Sequence, residues 1–264
     1  MPEGDTVYRA ARLLDRTLAG HVLTSSDFRV PQLATADLSG GRVLGTWSRG
    51  KHLLTRIDTD RPWTLHTHLK MEGSWHSYMR GQRWRRPAFA ARVVLTTDDR
   101  LAVGFSLGIV ELLSREQEEG AVGHLGPDLL GPDWDEEQAV HRLREDLDRP
   151  LADALLDQTR LAGIGNMYMA ELCFVAGLHP ATPVRDVPDL TRLVRRAQQM
   201  LELNKERAQQ TTTGDMRQGR RLWVYRRDQQ PCLRCDTPVV VAMRGDPGDE
   251  RASYWCPSCQ PEPT

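Results

Sequence analysis

Residues 231–260 read PCLRCDTPVVVAMRGDPGDERASYWCPSCQ, and no other stretch of the chain constrains its local fold as tightly. It contains two Cys-x2-Cys pairs separated by twenty residues, and their members are Cys232 and Cys235, then Cys256 and Cys259. This spacing is typical of a four-thiolate zinc site, because each pair forms a knuckle that presents two sulfurs to one ion. We therefore expect one structural Zn²⁺ bound by these four cysteines.

The sequence between the two cysteine pairs has the pattern of a β-hairpin. Two apolar runs, residues 239–243 and 252–255, predict strands, and Gly-Asp-Pro-Gly at residues 245–248 predicts the turn between them. The hairpin and its zinc should form a small module over residues 227–264. Most metal sites of this kind have a purely structural role.

The fifth cysteine and the chain start indicate the compartment. Cys173 lies in an apolar helical pattern and is interpreted as a core residue. The N-terminus has charges where a signal peptide would be apolar, and no apolar run is long enough to span a membrane. We expect a cytoplasmic protein with no membrane partner, in which reduced thiols serve metal binding or the core.

Charge is distributed unevenly along the 264 residues, although the net charge is only −1. Residues 42–92 contain 11 basic residues (Lys and Arg) and 3 acidic ones (Asp and Glu). Residues 98–150 contain 5 basic and 14 acidic residues, and residues 195–227 contain 9 basic and 3 acidic residues. The net charge excludes a uniformly basic nucleic-acid binder. The pattern indicates either ordinary solvated faces or a phosphate-tracking surface assembled from two parts of the chain.

The periodic segments indicate an α+β multidomain fold. A helix ending near Thr17 precedes a series of short β-type runs, which predicts an N-terminal β-sandwich domain over residues 1–114. An acidic segment rich in Gly and Pro, residues 115–133, is interpreted as a linker. The predicted strands are residues 21–24, 42–44, 52–57, 63–67, 91–96 and 100–105.

Helical periodicity predicts a helical domain over residues 134–226. The predicted helices are residues 135–148, 150–157, 167–176 and 188–205. The sequence LAGIGNMY, residues 161–168, joins the second of these helices to the third and places Asn166 at an N-cap. Free N–H groups at such a helix start bind anions, but an ordinary capped turn explains the sequence equally well.

The chain begins MPEGDT, which places two reactive groups before the first helix. Asp5 or Thr6 is the predicted cap of that helix, so Pro2 and Glu3 precede its N-terminus. If Met1 is removed, Pro2 presents a secondary amine, and an α-amino group has a pKa of roughly 8. An amine beside a carboxylic acid can attack a sugar C1′ and pass through a Schiff base. The alternative is an arbitrary chain start.

The sequence SRGKH, residues 48–52, precedes a predicted strand. A lysine after a turn is usually solvated. Lys51 therefore becomes a candidate only if it faces the Pro2 amine.

Four motifs, in this order along the chain, resemble those of the Fpg/Nei family of DNA glycosylases, and the resemblance covers the whole chain. They are Pro2-Glu3-Gly4, Arg49-Gly50-Lys51, residues 161–168 as the helix–two-turn–helix signature, and Arg251 followed by Cys256-Pro257-x-Cys259-Gln260. The resemblance implies an N-terminal β-sandwich with a leading helix, a helix–two-turn–helix domain and a C-terminal zinc-finger β-hairpin. It also implies that damaged DNA is held between the domains.

The resemblance implies a role for five residues. Pro2 would be the nucleophile at C1′ of the damaged nucleotide, and Glu3 the acid that helps to open the sugar and relays protons. Lys51 would assist β-elimination. Arg251 would contact phosphate and assist δ-elimination, and Asn166 would bind phosphate at the helix N-terminus. A guanidinium suits a phosphate contact, and a damaged base must be flipped out before an amine can reach C1′.

Two features favour the Nei branch of the family. His52 follows Gly-Lys, as in Nei-like sequences, and the short segment of residues 214–225 leaves little room for the loop that caps oxoguanine in Fpg-like members. This implies oxidised pyrimidines as the main substrates. Met71 resembles the residue that fills the gap left by the flipped base, although a core methionine is an equal alternative.

Several positions depart from the family pattern. Thr6 stands where many members have Glu, and Lys70 where a neutral DNA-contacting residue is common. His124 stands where an Arg phosphate contact is common, and a histidine would make that contact more dependent on pH. Residues 106–109 lack the Arg-Phe wedge of Fpg-like members. The way in which those members recognise the base opposite the lesion is therefore not implied for this chain.

These observations predict a monomeric bifunctional DNA glycosylase and abasic-site lyase of base excision repair. The competing hypothesis is a binding module that recognises damaged or single-stranded DNA without cutting it. The presence of Pro2, Glu3, Lys51 and Arg251 together disfavours that alternative.

Overall fold

The computed structural model describes residues 2–245 and 250–263. The chain divides into two compact units, with the boundary between His124 and Leu125. That boundary lies inside the segment interpreted as a linker, residues 115–133. The first part of this segment is a helix, α2, Arg115–Val122, which begins with a capping box between Ser114 and Gln117.

The first unit begins with helix α1, Gly4–Leu18. Its apolar face is buried through Val7, Ala11, Leu14 and Leu18. The predicted cap is wrong, because Glu3 is the N-cap and Asp5 and Thr6 lie inside the first turn. Asp5 is fully buried, so its side chain serves the interior rather than a solvent-facing cap.

Two antiparallel four-stranded sheets follow α1. One has the order β2-β3-β4-β8 and the other β1-β6-β7-β5. The strands are β1 Ser25–Phe28, β2 Arg42–Arg49, β3 His52–Asp58, β4 Pro62–His68, β5 Ser74–Met79, β6 Ala91–Thr96, β7 Arg100–Phe105 and β8 Ile109–Leu113. Side chains from both sheets and from α1 share one apolar core, which confirms the predicted β-sandwich with a leading helix.

Some predicted strands differ from the observed ones. Residues 21–24 form only an isolated bridge, Val22 with Arg42, and the strand comes after them as β1. The sequence did not predict β5 or β8. Strand β5 has the sequence SWHSYM, in which polar residues fall on both faces, and Ser74 and His76 hydrogen-bond each other at 3.1 Å. The segment therefore lacks the regular alternation of apolar and polar residues that predicts a strand.

The second unit is helical up to residue 204. Its helices are α3 Glu136–Leu143, α4 Leu151–Leu156, α5 Asn166–Ala176 and α6 Leu190–Asn204. The prediction of a helix to residue 148 is wrong, since α3 ends at Leu143 and Leu147 is 48% exposed. Helix α5 is buried along most of its length and forms the centre of this unit.

The chain closes with the hairpin β9 Val240–Arg244 and β10 Arg251–Trp255, which pair from Val240↔Trp255 to Arg244↔Arg251. Most of the predicted turn, residues 246–248, lies outside the described residues. Among the helices of the described chain, none combines the length and apolarity that a membrane crossing requires.

Candidate functional site

Glu3 occupies the N-cap of α1 and is completely buried. Its backbone is extended, with φ −124° and ψ −176°, and its carbonyl accepts the first helical hydrogen bond, from the Val7 N–H at 3.0 Å. Pro2, the preceding residue, is partly buried. The positive end of the helix favours this carboxyl group in its ionised form, and the side chain adjoins Pro2 along the chain. Met1 lies outside the described residues.

Lys51 lies in the two-residue turn between β2 and β3. The flanking residues Arg49 and His52 pair across the hairpin, and Gly50 has φ +56°. A positive φ at the first central position is the requirement of a type II′ turn, which glycine meets without strain. Lys51 is partly buried, so a rigid hairpin holds the start of its side chain.

A chain of two histidines and a carboxylate lies next to Lys51. His52 Nδ1 is 2.8 Å from His66 Nε2, and His66 Nδ1 is 3.0 Å from Glu111 Oε2. Because a carboxylate only accepts, His66 Nδ1 donates to Glu111. If His66 is neutral, its Nε2 accepts from His52, which leaves His52 Nε2 as an acceptor. This arrangement was not predicted from the sequence, although His-Thr-His at residues 66–68 is a signal that places two histidines on one strand face.

Two further histidines complete the cluster. The ring centroid of His52 is 5.0 Å from that of His68 and 6.5 Å from that of His124, which is exposed. Burial, with nearby His68 and His66, lowers the pKa of His52 to about 3. Burial and Lys70 lower the pKa of His68 to about 4. The rings of His52 and His68 are therefore neutral at physiological pH.

The segment after β4 presents Lys70 and Met71. Lys70 has φ +50°, a backbone conformation that side-chain-bearing residues seldom adopt. Its stem lies over Gly108, where an added Cβ would be 2.2 Å from Lys70 Cγ. Met71 is 62% exposed, so the alternative of a core methionine is wrong.

In the second unit, Asn166 and Arg251 are brought together. Asn166 is the first residue of α5, and Gly165 rather than Asn166 is the N-cap, which corrects the prediction. Asn166 Nδ2 donates to the carbonyl of Ala252 at 2.6 Å, beside Arg251 on β10. An amide carries two N–H bonds, so a second one remains for another acceptor.

Arg251 lines a pocket of about 420 Å³. Two more arginines line it, and each is paired with a carboxylate at 2.7 Å, Arg149 with Asp157 and Arg244 with Asp153. Asp153 and Asp157 themselves line the pocket, so its charged groups are three arginines and two carboxylates.

The four predicted zinc ligands converge. Their Sγ atoms all lie within 4.8 Å of one another, and Cys235 Sγ is 3.4 Å from that of Cys256 and 3.5 Å from that of Cys259. A tetrahedral site with Zn–S bonds of about 2.3 Å has sulfurs about 3.8 Å apart. The donor set therefore fits a closed four-thiolate site. Cys173 is buried in the helical core, and burial raises the pKa of its thiol to about 12.

Comparison with known proteins decides the family. Residues 1–106 match the Formamidopyrimidine-DNA glycosylase N-terminal domain, and residues 125–215 match the Formamidopyrimidine-DNA glycosylase H2TH domain. A Streptomyces coelicolor protein named "Probable endonuclease 8 2" is 53% identical over 100% of this chain and 95% of its own length.

The chain belongs to the formamidopyrimidine-DNA glycosylase and endonuclease VIII family of DNA glycosylases.

Other relatives place it among the endonuclease VIII members of this family, as the sequence predicted. "DNA-(apurinic or apyrimidinic site) lyase Nei2" of Mycolicibacterium smegmatis is 50% identical over 98% of this chain and 99% of its own length. A solved complex of Lactococcus lactis Fpg with an abasic site containing DNA superposes with a TM-score of 0.80 at 23% identity, and covers 99% of this chain and 100% of that one. This likeness confirms the fold.

In this family member a single buried carboxylate holds a loop in place. Glu171 on α5 is fully buried, and its oxygens accept backbone hydrogen bonds from Trp223 at 2.7 Å, Val224 at 2.9 Å and Tyr225 at 2.8 Å. The Thr212 hydroxyl also donates to it. Burial raises the pKa of Glu171, and the four donors oppose that rise. Both ends of the short segment 212–223 are thus fixed to one side chain.

We expect Glu171→Ala to destabilise the second unit by about 3 kcal/mol or more, because each buried N–H left without an acceptor costs about 1–3 kcal/mol. Chemical denaturation measures the loss, and amide exchange at residues 223–225 should become faster. The matched control is Glu206→Ala, at an exposed position just after α6. It should change stability by less than about 0.5 kcal/mol. Equal effects from both changes would show that the Glu171 hydrogen bonds contribute nothing.

Proposed function

We propose that this protein is a bifunctional DNA glycosylase and abasic-site lyase that acts through an N-terminal proline Schiff base. The observation that carries the proposal is the complete burial of Glu3 at the N-cap of α1, next to Pro2, in a chain of this family. A carboxyl group fixed beside a chain-end amine is the arrangement that acid-assisted attack on a sugar carbon requires.

The proposed reaction begins when Pro2 nitrogen forms a bond to C1′ of the damaged nucleotide. The glycosidic bond breaks, the base leaves with the bonding electrons, and Glu3 supplies the proton that opens the sugar ring. The resulting iminium makes the C2′ proton acidic, and its loss expels the 3′ phosphate. Lys51 assists this β-elimination, and Arg251 assists the δ-elimination that follows.

Phosphate contacts come from both units in this proposal. Asn166 and Arg251, which share the neighbourhood of Ala252, bind the backbone near the lesion. Lys70 and His124 add contacts from the first unit. Met71, which is exposed at the surface, fills the gap left by the flipped nucleotide.

We assign oxidised pyrimidines as the main substrates. The resemblance to the Nei branch implies this assignment, and the compact segment 212–223 supports it. That segment closes on itself, since the Thr212 N–H donates to the Arg221 carbonyl at 2.9 Å. A short, closed segment leaves no long loop to cap an oxidised purine.

The four cysteines hold one structural Zn²⁺ in this proposal. Their thiolates would close the coordination sphere, so the ion would organise the hairpin without taking part in the reaction. Arg251 begins β10, and the metal would therefore help to position it.

We expect borohydride to trap a covalent adduct between the processed protein and a duplex that contains an abasic site. The reduced link should map by mass spectrometry to the peptide that begins with Pro2. Intact mass must first show that Met1 is absent, since a retained Met1 acylates the proline nitrogen.

Absence of an adduct with processed protein would refute the Schiff-base mechanism. Tight binding of damaged DNA without any adduct would support the competing hypothesis, a module that binds DNA without cutting it. A link that maps to Lys51 would reassign the nucleophile.

A further inference from the structure

The loop between β5 and β6 is strongly cationic. Residues 80–89 read RGQRWRRPAF and contain four arginines and no acidic residue. We call these ten residues the arginine loop. None of the groups in the proposed reaction comes from it.

Aromatic packing fixes the base of the arginine loop. The Trp84 ring stacks at 6.5 Å on Tyr78 and meets Phe105 edge-on at 5.7 Å. The Tyr78 hydroxyl accepts a hydrogen bond from the Arg85 backbone N–H at 3.1 Å. The backbone of the loop therefore has a defined shape, so ligand binding would have to order only the side chains.

Two of its guanidinium groups are open to a ligand. The side chains of Arg83 and Arg85 are exposed and make no hydrogen bond or ion pair with other residues in the described parts of the chain. Both line a pocket of about 510 Å³, together with Trp84, Arg86 and the residues up to Ala88. The pocket presents several N–H donors and contains no carboxylate.

A large apolar ring stands beside this pocket. Phe89 is 85% exposed, the highest value among the exposed large hydrophobic residues of the described chain. Two more arginines fix the turn that carries it, since Arg92 donates to the Phe89 carbonyl at 3.0 Å and Arg29 to the Ala88 carbonyl at 3.2 Å. Hydrogen bonds from two arginines therefore fix the turn, while the Phe89 ring itself is exposed to solvent.

An ordinary solvent-exposed face contains both acidic and basic side chains and no fully exposed aromatic ring. The arginine loop differs from such a face in both respects. Guanidinium forks match phosphate oxygens, and exposed aromatic rings stack on unpaired bases. A duplex hides the faces of its bases, whereas a single strand offers phosphates and faces together. The chemistry of the surface therefore fits single-stranded nucleic acid.

The arginine loop is continuous with the proposed DNA contacts of the same unit. The Arg86 guanidinium donates to the Glu72 carbonyl at 3.1 Å and to the Ser74 hydroxyl at 2.9 Å. These residues directly follow Lys70 and Met71. A strand that leaves the lesion at Met71 has the loop beside it.

We propose that the arginine loop binds a single-stranded DNA segment that adjoins the lesion, with phosphates on Arg83 and Arg85 and a base stacked on Phe89. The inference rests on the proposed function, because it takes the DNA of that reaction as the ligand. It predicts that the protein engages lesions near single-strand to double-strand junctions better than lesions inside a blunt duplex.

The test compares an abasic-site duplex with the same duplex extended by an oligothymidine tail. The wild-type protein should bind the tailed substrate more tightly. Phe89→Ala should reduce the tail-dependent gain about tenfold, within the range for loss of one stacked base. Arg83→Ala/Arg85→Ala should reduce the salt slope of binding to the tailed substrate by about 1.4, because each single-strand phosphate contributes about 0.7.

The control is Arg12→Ala/Arg61→Ala, which removes two positive charges from exposed positions of the same unit. It should keep the tail-dependent gain, and all variants should cleave the blunt duplex at the wild-type rate. Equal binding of blunt and tailed substrates by the wild type would overturn the inference, and so would an equal loss in the control. Competition by polyglutamate as effective as that by oligothymidine would instead assign the loop to an acidic protein. Failure to cleave the blunt duplex would count against the proposed function alone.

Discussion

Glu3→Gln should reduce base excision from a damaged duplex by about 10²- to 10⁴-fold, the range for loss of a positioned acid. The amide has nearly the shape of the carboxyl group but no proton to transfer to the opening sugar. Because Glu3 is fully buried at the N-cap of α1, water has no ready access to replace it. Single-turnover release of the oxidised base measures the effect.

The same variant should still cleave an abasic site to a measurable extent. An abasic sugar has already lost its base, so the Pro2 amine can form the Schiff base with less acid assistance. Borohydride trapping of Glu3→Gln on abasic DNA should therefore persist while excision fails. Glu119→Gln, an exposed position on α2, is the control and should match the wild type in both assays. Unchanged base excision by Glu3→Gln would show that Glu3 is not the acid.

The parts of the site that could be predicted from the sequence are those that depend on residue type and local spacing. The four cysteines are such a case, because two knuckles bring four sulfurs together wherever the module lies. Gly50 is another, since a two-residue turn of this type needs a positive φ that glycine provides. The fold class followed from the change of periodicity near residue 133.

The parts that could not be predicted depend on register and burial. His52 meets His66 only because β3 and β4 pair in the register that sets His52 opposite His68. The partner Glu111 lies on β8, a strand that its own sequence did not predict. The predicted C-terminal end of α3 was wrong because it too depends on burial. Leu147 continues an apolar helical pattern, but no core lies beneath it, and the chain turns away first.

Removal of zinc should unfold the C-terminal hairpin and abolish δ-elimination. Structural zinc binds zinc-finger peptides with apparent free energies of about 10–16 kcal/mol, far more than a two-stranded hairpin gains from its own contacts. Cys235→Ser and Cys256→Ser should each lower the zinc content from one ion per chain to almost none. Amide exchange should accelerate over the described residues of 231–260.

The chemical consequence should be selective. Asn166 Nδ2 donates to the Ala252 carbonyl on β10, so loss of the hairpin releases both Asn166 and Arg251 from their positions. The product of β-elimination should then accumulate in place of the δ-elimination product, and binding should weaken by the phosphate contacts that are lost. Cys173→Ala is the matched control, because this buried thiol lies in the helical core, and the variant should retain one zinc ion. Since Pro2, Glu3 and Lys51 belong to the first unit, borohydride trapping should survive in the zinc-free variants. Loss of trapping together with zinc would mean that the nucleophile itself depends on the hairpin.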